Sequence, residues 1–180
     1  MSMRDPLLAV AALVLVSNAA LAAETPNLGK VATPEEIASY DITVDPNGDG
    51  LPPGSGTPKQ GEAVYLTKCV ACHGEKGVGG QADRLSGGQG TIAYAKDIEK
   101  RPIKTIGSYW PYATSVYAYI WRAMPFMEPK SLTPDELYAV TAYLLQVNGI
   151  IGENDTMDAK TLPQVKMPNR DGFYPFARKE

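Results

Sequence analysis

Both cysteines of this 180-residue chain and its only histidine fall within five consecutive residues, Cys69-Val70-Ala71-Cys72-His73. Three chemistries use such a cluster, and each demands a different surrounding. A structural zinc site needs four ligands. Here there are three thiol or imidazole donors, and Cys72 and His73 are adjacent, an awkward arrangement for joint tetrahedral ligation even if carboxylates completed the set. A redox dithiol wants its reactive thiol at a helix N-terminus, where the dipole lowers its pKa. In this chain a helix-compatible stretch leads into Cys69 from the N-terminal side. The third reading is C-x-x-C-H, the attachment pattern of c-type haem. Two thiols two residues apart reach the two vinyl groups on one porphyrin edge, and the next residue presents its imidazole to the iron.

The N-terminus favours the third reading. Arg4, the ten-residue apolar run Leu7–Val16 and the small-residue site Ala20-Leu21-Ala22 form an export signal. Ten apolar residues are too few to span a bilayer; an uncleaved anchor is the alternative. Residues 1–22 are therefore expected to be a cleaved signal peptide, and the location the periplasm. Covalent haem is attached outside the cytoplasm, so export and motif agree. The net charge of −3 and pI near 5.3 give neither the basic patch that nucleic acid favours nor a polybasic membrane signal. No nucleic-acid partner and no membrane insertion are expected.

Beyond the signal the chain divides into an irregular arm (residues 23–57), a domain (58–149) and a tail (150–180). In the arm, Thr33, Pro34 and Glu36 fit the N-cap, N1 and N3 positions of a short helix. Asp45, Asn47, Asp49 and Gly50 fit the start of a calcium loop, but the twelfth position is Gly56 rather than glutamate, so a plain polar turn is expected. In the domain, residues 59–69 read as a helix with Gly61, Tyr65 and Cys69 on one face. Glycine there permits close approach of another helix. Seven glycines within residues 74–90 predict a loop. A short helix over 92–101 and a helix from Pro111 or Ala113, with the stripe Val116, Ile120 and Ala123 and an end at Pro125, come next. The clearest helix follows Thr133. Pro134 is at N1, Glu136 completes a capping box, and Leu137, Val140, Thr141, Leu144 and Leu145 form the apolar stripe, with Asn148-Gly149 as C-cap. No strand alternation is evident. Apolar residues in the tail, among them Ile150, Leu162, Val165, Phe173 and Phe176, predict that it lies over the domain. The fold class is all-α, short helices around one covalent haem.

A ligating imidazole donates its other N–H to an oxygen, and the glycine-rich loop is the natural source of a carbonyl. With one histidine, bis-histidine ligation within the chain is excluded. Met124, Met127, Met157 and Met167 remain once the signal is removed. Met124, 51 residues after His73 and just before Pro125, is the favoured sixth ligand, with Met127 and Met167 as rivals. His73 and Met124 would then hold the iron, giving a raised potential. Tyr109, Trp110 and Tyr112 are candidate propionate contacts, against ordinary helix packing; Lys104 and Arg101 are others.

The order G-E-A-V-Y, C-V-A-C-H-G, glycine loop, A-M-P-F and S-L-T-P-D-E-L-Y-A-V-T-A-Y-L-L resembles class I cytochrome c. One departure is that no proline occurs between His73 and Pro102; the family usually has one there, and its carbonyl orients the histidine. The arm ATPEEIASYDITVDPNGDGLPPGSGT, the segment GSYWPYATSVYAYIWRAMPF and the tail NGI…DAKTLPQVKMPNRDGF are similar to the cytochrome subunit of the Sox sulfane dehydrogenase and to sulfite-dehydrogenase cytochromes. That resemblance covers most of the mature chain. It implies a periplasmic molybdenum sulfane or sulfite dehydrogenase as electron donor and a downstream cytochrome or terminal oxidase as acceptor. Some subunits of that kind carry two haems; with one C-x-x-C-H, this chain is expected to carry one haem c. The chain itself is then expected to be no enzyme, with the edge near Val70, Ala71 and Phe126 as transfer surface. A free-standing shuttle and a haem enzyme or sensor are the alternatives. The latter needs an open sixth position and usually a distal acid–base residue, and no histidine is left for it.

Overall fold

The computed structural model describes residues 28–94 and 101–173. The expected signal peptide, residues 95–100 of the helix expected over 92–101, and the end of the tail from residue 174 lie outside them. The chain divides into two compact units, with the boundary in the sequence between Tyr40 and Asp41. The described part of the first holds α1 (Pro34–Tyr40). Its start is the reciprocal cap read from the sequence: Glu36 N–H donates to Thr33 Oγ1 and Thr33 N–H to the Glu36 carboxylate.

The second unit holds α2 (Pro58–Lys68), the single turn α3 (Val70–His73), α4 (Ala113–Ala123) and α5 (Pro134–Val147). Short 3-10 turns occur at Thr91–Tyr94 and Leu162–Gln164. The α2 start carries a cap absent from the sequence reading, in which Thr57 and Gln60 satisfy each other's backbone N–H groups ahead of Pro58. The α5 cap forms between Thr133 and Glu136 as expected. At its other end Gly149, at φ +69°, allows its own N–H to reach Gln146 O and that of Ile150 to reach Leu145 O, the Schellman arrangement.

Helix α5 is the centre of the unit. The sequence stripe predicted one apolar face, yet every residue from Leu137 to Leu145 is buried. The reason lies outside the helix. On one side α2 packs against it so closely that a methyl group on Gly61 would collide with the Ala139 carbonyl. Next to that contact, Ser55–Gly56 (β1) pairs antiparallel with Met157–Asp158 (β2). Gly56 lies directly on the Ala139 backbone, where a side chain would not fit. The Tyr138 hydroxyl donates to Pro52 O at 2.8 Å. Residues 52–56 and 157–158 thus cover α5 beside α2 through a two-residue ladder that no alternation could have announced. Met157, Leu162 and Met167 of the tail join the core. The Asp45–Gly50 segment is a turn closed on itself, with Asp45 N–H on Asp49 O and Asn47 Nδ2 on the Asp49 carboxylate.

Candidate haem site

Cys69 ends α2 and begins α3. Its N–H still donates to Tyr65 O at 2.9 Å, and its carbonyl accepts the His73 N–H at 3.0 Å. The chain therefore bends at Cys69 and resumes for one turn, which brings Cys69, Cys72 and His73 onto the wall of a single cleft. Two backbone bonds fold the glycine loop back under that turn, Gly79 N–H to His73 O and Ala82 N–H to Cys72 O, both 2.9 Å. Gly74, at φ +73°, is what lets the chain double back. The fully buried Tyr65 hydroxyl donates to Gly74 O at 2.8 Å, and burial pushes its pKa up to about 12.

The loop supplies the carbonyl that a proline would otherwise present. His73 Nδ1 lies 2.7 Å from Asp83 O. A carbonyl can only accept, so Nδ1 is the donor, which leaves Nε2 as the nitrogen available to a metal. Asp83 was not nameable from the sequence because a backbone oxygen leaves no residue-type signal.

The cleft has a volume of about 530 Å³, within the roughly 300–1,000 Å³ of small-molecule and cofactor sites. Besides the motif it is walled by apolar residues of α4 and α5, Val116, Ile120, Val140 and Leu144. Met124, Pro125 and Phe126 also line it. Met124 leaves α4 in an extended conformation, its N–H still bonded to Ile120 O. The rival methionines are elsewhere: Met127 is 85% exposed and off the cleft, and Met167 is 3% exposed within the core.

The aromatic candidates separate in the same way. Trp110 lines the cleft, edge-on to Tyr119 at 5.6 Å. Tyr109 instead meets Phe173 edge to face at 5.2 Å, with Lys104 Nζ 5.0 Å from its ring, and Tyr112 lies under the Arg170 guanidinium at 4.1 Å. Each ring touches a tail residue, and neither residue lines the cleft. Lys104 lines the cleft and Arg101 does not. Lys68, Gln81 and Arg84, which the sequence reading did not single out, also line it. Lys68 pairs with Glu128 at 3.6 Å and so ties α2 to the segment after Met124.

Burial, and then the neighbouring Cys72, push the Cys69 thiol up to about 11. A thiol held protonated, at the end of α2 and capping only one further turn, is the reverse of a reactive redox cysteine. Among the described residues no three His, Cys, Asp or Glu side chains form a metal-ion site of their own. A haem fits the donor set: two thiols and an oriented imidazole on one short turn, a thioether, and an apolar cleft that joins them.

The fold and the motif define a c-type cytochrome, and the chain belongs to that family. Residues 56–144 match the family described as cytochrome c oxidase, cbb3-type, subunit III. Among solved structures it is similar to a chain of the sulfane dehydrogenase SoxCD from Paracoccus pantotrophus. The identity is 42% and the TM-score 0.76, over 86% of this chain and 74% of that one. Comparison with curated proteins finds no match. The architecture is the cytochrome c fold, mostly helical, and its domain is a haem-binding electron carrier. No described helix is long and apolar enough to cross a membrane.

Proposed function

We propose that this is a periplasmic monohaem cytochrome that accepts electrons one at a time from a molybdenum sulfane or sulfite dehydrogenase and passes them to a downstream cytochrome or terminal oxidase. In this reading Cys69 and Cys72 would hold haem covalently through thioethers, and His73 and Met124 would ligate its iron. The observation that carries it is the meeting of all four side chains in one cleft, with the His73 tautomer already fixed by Asp83 O. The similarity to a SoxCD chain supports the choice of donor. When bound, haem c supplies a one-electron couple whose potential a thioether ligand raises.

The chain's own residues do the rest. Tyr65 and the Gly79 and Ala82 amides hold the motif turn in shape. The apolar walls of α4 and α5 would face the bound haem, and with both His73 and Met124 on the iron no place would be left there for a substrate. Ala71 and Cys72 are exposed, and Phe126, on the cleft wall, is 78% exposed, so electrons cross at this edge. The test is stopped-flow mixing of the ferric holoprotein with a molybdenum sulfane or sulfite dehydrogenase from the same source and sulfite or thiosulfate. Reduction during turnover is expected. Absence of reduction would remove the dehydrogenase partner and leave a free shuttle, while rapid CO binding by the native ferrous protein would point to an open sixth position.

A further inference from the structure

Asn148 uses far more hydrogen bonds than a helix end requires. It is 5% exposed. Its Nδ2 donates to Leu144 O at 2.8 Å, the one bond that serves its own helix, and to Leu85 O at 3.2 Å. Its Oδ1 accepts the Gly87 N–H at 3.1 Å, and its carbonyl accepts Gln89 Nε2 at 3.1 Å. Three of the four bonds reach the glycine loop, about sixty residues away in sequence. Gly149 already closes the helix by its positive φ, so capping does not explain them.

The loop it grips is the one that orients His73. Asp83 lies two residues before Leu85, whose own N–H donates to Gly77 O at 2.8 Å. Seven glycines and no proline occupy residues 74–90, so the backbone has little stiffness of its own. The loop's own ties are the Leu85 and Ser86 N–H groups on Gly77 O; the rest come from outside it, Ile106 N–H on Leu85 O and Thr105 Oγ1 on Gly87 O beside those of Asn148. On the motif side Ala82 is tied to Cys72 O; on the other, Leu85 O and Gly87 N–H are tied to Asn148. The Asp83 carbonyl is stretched between these two anchors.

We propose that Asn148 is a positioning residue for the haem iron: by holding Leu85 and Gly87 it fixes the Asp83 carbonyl on His73 Nδ1 and so sets the basicity of the axial imidazole. The inference rests on the reading of His73 as iron ligand. Loss of the clamp lengthens the Nδ1–H···O bond, makes the imidazole a poorer donor and favours ferrous iron. Loss of a partner bonded directly to a metal ligand typically costs about 10- to 100-fold in metal affinity or activity. Asn148 acts one step further out, so the shift expected is at most about tenfold in the one-electron equilibrium, about 59 mV upward.

The experiment compares full-length holoprotein with Asn148→Asp, Asn148→Leu and Gly149→Ala. Asn148→Asp keeps the acceptor for Gly87 but loses the donor to Leu85, and it remains informative if the leucine variant does not fold. Gly149→Ala strains the same helix end without touching the loop, since a Cβ there has no neighbour within 4 Å. Both midpoint potential and solvent exchange of the His73 ring N–H, followed by paramagnetic proton NMR, are read. Asn148 variants are expected to raise the potential and speed the exchange, while Gly149→Ala lowers thermal stability and moves neither. If the Asn148 variants lose stability with potential and exchange unchanged, Asn148 is a helix cap only. If the wild-type protein shows no hyperfine-shifted His73 ring N–H, the ligation reading fails and this inference falls with it.

Discussion

Replacing Gly61 with alanine tests the packing on which the haem site is built. The fourth residue of α2 faces α5, where an added Cβ would lie 2.8 Å from Tyr143 Cβ and closer still to the Ala139 carbonyl. Carbon atoms pack best at about 3.5–4.0 Å, so Tyr143 alone demands a separation of about 0.7 Å, and the carbonyl demands more. Two terms of opposite sign compete. Alanine favours a helix interior by about 1 kcal/mol over glycine. Overpacking costs about 1–3 kcal/mol, and the upper end applies because the obstacle is helix backbone rather than a side chain that can rotate. The net expectation is a loss of about 2 kcal/mol. For a chain of this size, that is a fall in Tm of about 4–8 °C. Urea and thermal unfolding of the ferric holoprotein by circular dichroism would measure it. Glu62→Ala, an exposed neighbour on the same helix, should stay within about 0.5 kcal/mol. A Gly61→Ala protein as stable as the wild type would refute the close approach of α2 to α5.

Met124→Ala should abolish the far-red sulfur-to-iron charge-transfer band of the ferric protein, and Met127→Ala should keep it. Met167→Ala should keep the band while losing about 2–5 kcal/mol of stability from its core position, so spectra and unfolding curves together separate ligand from filler. Tyr65→Phe removes the hydroxyl bond to Gly74 O, at a cost of about 1 kcal/mol. It should also change the alkaline limb of the stability curve. Burial holds the folded Tyr65 pKa at about 12 against about 10 for an unfolded tyrosine. The wild-type contribution is therefore intact below pH about 10 and declines until pH about 12, whereas the phenylalanine variant should lack that part of the decline in urea titrations at pH 9 to 12.

How far the sequence carried the reading depended on whether side chains or backbone did the work. The motif was legible because thioether and imidazole chemistry dictates residue type and spacing together. The α5 limits were legible because Thr133 and Glu136 stand three apart and Asn148-Gly149 ends the stripe. Its all-round burial was not, because the cover comes from Pro52, Gly56 and Met157, distant in sequence and paired over only two residues. Among the aromatics, nothing in the sequence distinguishes Trp110, which lines the cleft, from Tyr109 and Tyr112, whose rings contact Phe173 and Arg170 of the tail. Met124 was already favoured over Met127 by its place before Pro125, and of the two only Met124 lines the cleft.

The same distinction bears on Asp83, whose identity is a poor guide to its role. It lines the cleft and is exposed, which invites the view that its carboxylate acts on the histidine. The contact at 2.7 Å is to its main-chain oxygen. Asp83→Asn leaves that oxygen in place, and an exposed charge is largely screened by solvent. Exchange of the His73 ring N–H is therefore expected to match the wild type in Asp83→Asn while it accelerates in Asn148→Asp, although Asn148 touches neither the histidine nor the cleft. Slowed or accelerated exchange in Asp83→Asn alone would mean that the carboxylate, not the backbone, orients the ring. The anchoring of Leu85 and Gly87 would then have no bearing on the iron.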